Sequence, residues 1–168
     1  TLSSGTPTSI SSSGNVYTLG LGLSGTPNGS EVVTVAPIGS AIYDVAGNVA
    51  STSQSNNTAT MTDAFPPTFS SVTLAADNST IAVTTSEAVF STSNGSGALA
   101  AADFVLSLSG GSATVNATPS SISANGNVYT LGLALTGTPD GSEVVTVKPA
   151  ETSIYDGNGN VASDNGRS

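Results

Sequence analysis

The side chains of this chain that could do chemistry are hard oxygen donors. Eleven residues are Asp or Glu, two are basic, and there is no His and no Cys. Without imidazole or thiol, the usual general bases and soft nucleophiles are missing. Lys148 is the one amine side chain, and the acids are spread about one per loop, so no convergent catalytic set is expected. Carboxylates, Asn amides and loop carbonyls do suit calcium. Candidate ligands are Asp63, Glu87, Asp156, Asn158 and Asn160. A competing role is structural. In the loops around Asp44 and Asp156, the Asp and the later Asn48 or Asn160 suit Asx-type turns, with Gly47 or Gly159 at positive φ. The run "DGNGN" at Asp156–Asn160 lacks the later bidentate Glu of a calcium loop, so both roles stay open.

The elements that must position these residues repeat. "GNVYTLGL" occurs at Gly14–Leu21 and again 112 residues later at Gly126–Leu133. Thr6–Ser51 aligns without a gap to Thr118–Ser163, with 33 identities in 46 pairs. Within the longer copy, apolar residues alternate with polar ones. Ile81 and Val83 share a face, as do Phe104, Leu106 and Leu108, and as do Tyr129, Leu131, Leu133 and Leu135. Turn signals punctuate the runs at Asp77-Asn78, Gly110-Gly111 and "GTPDG". Period-two patterning with such punctuation predicts an all-β, antiparallel sandwich. In "SGTPNGSE" and "TGTPDGSE", Pro27 and Pro139 suit a turn's first corner, and Gly29 and Gly141 its left-handed position. The Ala-rich run Ser96–Phe104 predicts a helical turn or two leading into the Phe104 strand.

Pro66-Pro67 reads as a stiff linker. The expected division is residues 1–63, the later part of one repeat, and residues 64–168, a second repeat without its last strand. The first copy has no counterpart of Pro66–Gly111, so the chain spans one and a half repeats. A half-sandwich exposes an apolar face and unpaired edges. The expected partners are therefore neighbouring copies of the same repeat, in a tandem array or a head-to-tail filament.

Three segments resemble the bacterial immunoglobulin-like repeats of S-layer and giant cell-surface or filament proteins (the SbsA-type and SwmB-type Ig-like groups). They are "AFPPTFSSVTLAADNSTIAVTTSEAV", with Ser86-Glu87-Ala88-Val89 at its end, "ADFVLSLSGG", and the Asp-x-x-Gly-Asn endings at Asp44/Gly47/Asn48 and Asp156/Gly159/Asn160. The likeness covers the second unit and the later half of the first. Thr85 departs from it, standing where the family commonly has Phe. The resemblance implies an Ig-like sandwich, an extracellular or cell-surface location, and a structural role in stalks, adhesins or filaments, sometimes stiffened by calcium. In an Ig-like meander, the end of the second strand and the last hairpin loop lie at the pole where the chain enters. Asp63, Glu87 and Asp156 would then meet there.

A net charge of −9 leaves too little cation for nucleic acid or an anionic membrane. No transmembrane run is visible, so membrane insertion is not expected. The chain therefore reads as non-catalytic. The alternative is a carbohydrate-binding module. It would need exposed aromatics, and the chain has four Tyr and four Phe. Tyr17/Tyr129 and Tyr43/Tyr155 suit either glycan stacking or a core position with a wet hydroxyl.

Overall fold

The computed structural model describes residues 1–163. The last five residues, 164–168, with Arg167 among them, lie outside the described residues. The chain divides into two compact units, Thr1–Phe65 and Pro66–Ser168, with the break two residues after the expected 63/64 boundary. Its regular structure is all-β and antiparallel. Among the described residues no helix is long and apolar enough to cross a membrane.

The first unit holds four strands: β1 (Ser9–Ser13), β2 (Val16–Gly20), β3 (Val32–Thr34) and β4 (Thr58–Thr60). β1 and β2 form a hairpin, closed where Gly14 takes φ +60°. β3 pairs with β4, Val33 standing opposite Ala59.

Among its described residues the second unit holds eight: β5 (Phe69–Leu74), β6 (Thr80–Thr85), β7 (Phe104–Ser109), β8 (Thr114–Val115), β9 (Ile122–Asn125), β10 (Val128–Gly132), β11 (Leu135–Thr136) and β12 (Val144–Pro149). One sheet runs β5-β6-β10-β9; β7 pairs with β12, and β8 with β11. The β5-β6 turn forms because Asn78 tolerates φ +58° and the Asp77 carboxylate accepts from the Ser79 N–H at 3.0 Å.

Alternation decides which side chains go inside. Ile81 and Val83 on β6, Tyr129 and Leu131 on β10, Phe104 and Leu106 on β7, and Val147 on β12 are all buried. The four-stranded sheet and the β7-β12 pair face each other as the layers of a sandwich do. Phe104 of β7 bridges them, its ring 5.9 Å from that of Phe69 and 5.8 Å from that of Tyr129. Full burial of each such side chain is worth roughly 1.5–3 kcal/mol. The Ala-rich run before β7 makes only a 3₁₀ turn, Ala101–Asp103. The Asp103 carboxylate accepts from the Ala100 N–H at 2.7 Å and caps the start of the turn, and Phe104 just beyond it enters the core.

Candidate metal centre

Glu87 lies two residues beyond the end of β6. Thr85, the last residue of that strand, is buried, and its hydroxyl donates to the Glu87 carbonyl at 2.7 Å. The Thr85 N–H donates to the Asn127 carbonyl at 2.9 Å. The backbone entering Glu87 is thereby fixed from inside the fold. Thr85 is a positioning residue that sequence reasoning passed over, marking it only as a departure from the family pattern. The available signal was a polar residue on the apolar face of a strand.

Asp156 comes from the opposite end of the unit's sequence. Tyr155 exchanges two backbone hydrogen bonds with Phe90, at 2.7 and 2.9 Å, and so brings the loop of Asp156 alongside the chain leaving β6. Asp156 is fully buried. Its Oδ1 accepts from the Asn158 and Asn160 N–H groups, both at 2.8 Å, and its Oδ2 accepts from Asn160 Nδ2 at 2.7 Å. Gly159 closes the turn at φ +89°, and a Cβ there would meet the Ser93 carbonyl at 2.6 Å. The turn role foreseen for Asp156, Asn160 and Gly159 is therefore present. Asp44 repeats it in the first unit, accepting from the N–H and Nδ2 of Asn48, both at 2.8 Å, with Gly47 at φ +86°.

The two roles are compatible. An ionised carboxylate offers about four lone-pair sites, and the loop occupies three of those on Asp156. Glu87 and Asp156 bring carboxylate oxygens within 4.8 Å of each other, one half-buried and one buried. Two carboxylates this close, away from bulk water, can share a cation. A divalent cation of hard character fits the donor set. Asn158 is exposed and Asn160 half-buried on the same loop. Asp63 belongs to the first unit, where its Oδ1 accepts from the Phe65 N–H at 2.9 Å.

Elsewhere in the second unit, Asp140 and Glu143 are turn residues. Asp140 accepts from the Ser142 hydroxyl and N–H, at 2.6 and 3.0 Å, and these bonds hold its pKa below the ordinary value. Desolvation works to raise the pKa of Glu143, but bonds from the N–H groups of Ala113, Asp140 and Gly141 outweigh it and leave the net shift downward.

No family model, curated protein or solved structure matches the chain.

Proposed function

We propose that the chain is a non-catalytic structural repeat of an extracellular stalk, adhesin or filament at the cell surface, built on an Ig-like sandwich. The observation that carries this reading is the 33-of-46 duplication at 112 residues. It is matched by two hairpins, β1-β2 and β9-β10, that share one register. Duplicated domains extend a chain without adding chemistry, and a surface poor in cations and aromatics suits a spacer. The likeness to bacterial surface repeats supports the same assignment. Calcium is the ion we assign to the Glu87–Asp156 pair, with Asn158 and Asn160 as further oxygen donors; the sequence reading adds Asp63 from the segment ahead of Pro66. Bound calcium would lock the chain leaving β6 to the loop before Val161.

The test is immunogold labelling of intact cells that make the protein, with antibody raised against the folded chain. Gold along extended surface structures is expected; gold confined to permeabilised cells would sink the assignment.

One observation favours a second reading, a carbohydrate-binding module. Tyr17 and Tyr43 are 64 % and 57 % exposed, as stacking platforms for sugars are. Against it, Tyr129 occupies the position of Tyr17 in the other copy and lies in a core. Titration with oligosaccharides while following tyrosine fluorescence separates the two readings, since a spacer gives no change.

A further inference from the structure

The two copies of the repeated segment differ in what covers them. In the second unit, Tyr129, Val147 and Ile154 are 7 %, 0 % and 0 % exposed. Their counterparts in the first unit, Tyr17, Val35 and Ile42, are 64 %, 46 % and 55 % exposed. The covering groups in the second unit are known by name: Phe69, Ile81 and Val83 from β5 and β6, and Phe104 and Leu106 from β7. All five lie within Pro66–Gly111, the part of the repeat with no counterpart in the first unit.

The backbone edges agree with the side chains. Even-numbered residues of β10 point their peptide groups at β9, as in the bond from the Gly132 N–H to Ser121. Odd-numbered ones point at β6, as in the bonds from the Thr85 N–H to Asn127 and from the Leu133 N–H to Ser79. β2 follows the same rule toward β1, the Thr8 N–H donating to the Gly20 carbonyl. Its odd edge, at Tyr17, Leu19 and Leu21, carries no strand among the described residues of the first unit. In β12 the even residues face β7, since the Ala150 N–H donates to Asp103. In β3 it is the odd residues that bond β4, the Val35 N–H donating to Asn57 and the Met61 N–H to Glu31. β4 therefore occupies the edge opposite to the one that β7 takes in the second unit. The even edge of β3 has no strand among the described residues of the first unit.

We propose that the apolar face of the first unit is a docking site for a β5–β7 segment, with the pattern of Pro66–Gly111, from a further copy of this repeat. The register follows from the second unit. Tyr17 stands opposite the incoming counterpart of Val83 and Leu19 opposite that of Ile81. Val35 stands opposite the counterpart of Leu106. Two open edges and one apolar face with the same missing neighbour specify a two-layer cover, not a loose hydrophobic contact. An intact second copy of the chain does not supply it, because that copy's own β5–β7 segment is already seated in its second unit. The inference rests on the repeat reading but not on a surface location, so the labelling experiment above can fail without affecting it.

The test fuses a copy of Pro66–Ser112 ahead of Thr1 in the full chain, which keeps the repeat's spacing, and follows amide hydrogen exchange. Exchange is expected to slow by on the order of tenfold or more at the N–H groups of Tyr17, Leu19 and Leu21 and of Thr34, Ala36 and Ile38. Thr18, Gly20, Val33 and Val35, already bonded to β1 or β4, change less. A second fusion carries Ile81→Asp and Val83→Asp in the added segment and is expected to lose the protection. Unchanged exchange in the first fusion, or equal protection in both, overturns the proposal. Concentration-dependent protection of the same amides in the unfused protein would also overturn the assigned occupant, making it a second copy of the chain.

Discussion

Asn160 donates twice to the Asp156 carboxylate, through its N–H at 2.8 Å and its Nδ2 at 2.7 Å, and that carboxylate has no exposure to solvent. Removing that carboxylate takes away an acceptor shared by the Asn158 and Asn160 N–H groups and the Asn160 side-chain amide. Asp156→Ala should therefore destabilise the unit by about 3 kcal/mol, within the cost of leaving buried polar groups unsatisfied. Asp44→Ala removes the same bonds from an exposed loop, where water replaces them, and should cost far less. Urea unfolding of the two variants checks this; equal losses would show that burial does not set the value of the turn.

Calcium should raise the melting temperature of the second unit, because an ion that binds only the folded form stabilises it by mass action. At a hundredfold excess over Kd the gain is about 2.7 kcal/mol. Glu87→Gln should abolish the gain. Asp77→Asn, in the β5-β6 turn, should keep it. Asp63→Asn tests the ligand that the sequence adds: loss of the gain places Asp63 in the set, and retention removes it. Identical melts of the unaltered protein in millimolar calcium and in chelator would refute the metal assignment.

Most of the second unit was legible in the sequence wherever burial is one-sided. Ile81 and Val83, or Phe104 and Leu106, alternate with polar neighbours because one face of each strand meets the other layer. Legibility fails where a residue's state depends on something distant. It does not fail at the Ala-rich run Ser96–Phe104, which forms one helical turn, the 3₁₀ turn Ala101–Asp103, ahead of the Phe104 strand. The buried hydroxyl of Thr85 makes sense only once Asn127 and Glu87 are both beside it. Asp44 and Asp156 sit in near-identical strings, but one is exposed and the other buried. The same letters fold into the same turn; the difference comes from Ser93 and its neighbours, which have no equivalent in the first unit.

Acid should weaken the second unit within and below the ordinary carboxylate range. The Ser79 hydroxyl and N–H depress the pKa of Asp77, and the Ser142 hydroxyl and N–H depress that of Asp140. Glu143 is also depressed, its backbone bonds outweighing desolvation. A depressed folded-state pKa means stability that is present above the unfolded value and lost as pH falls through the folded one. Glu143→Gln should be less stable at neutral pH and show a shallower acid limb. The measurement is denaturant unfolding from pH 7 to pH 2; an unaltered acid limb in the variant would mean that Glu143 takes no part.

Alkali should act through Tyr129. Burial raises its phenol pKa above the ordinary value of 10.0. The fold therefore favours the neutral phenol, and its contribution is complete below the unfolded pKa and lost as pH rises through the folded one. Tyr129→Phe keeps the ring against Phe104 and removes the titration. Its stability should fall less steeply above pH 10 than that of the unaltered chain. Equal slopes would place the alkaline loss elsewhere.

Ile154 and Ile42 measure the missing cover directly. Ile154 is wholly buried against the second unit's core, so Ile154→Ala should cost about 2–5 kcal/mol through lost transfer energy and the cavity left behind. Ile42 has the same place in the repeat but is 55 % exposed. Ile42→Ala should cost about 0.5 kcal/mol or less, as surface substitutions do. The contrast should vanish in the chain carrying the fused Pro66–Ser112 copy, where Ile42 becomes a core residue. There Ile42→Ala should approach the cost of Ile154→Ala in denaturant unfolding. A cost that stays small would mean that the added segment never reaches the apolar face, and the docking site would be lost with it.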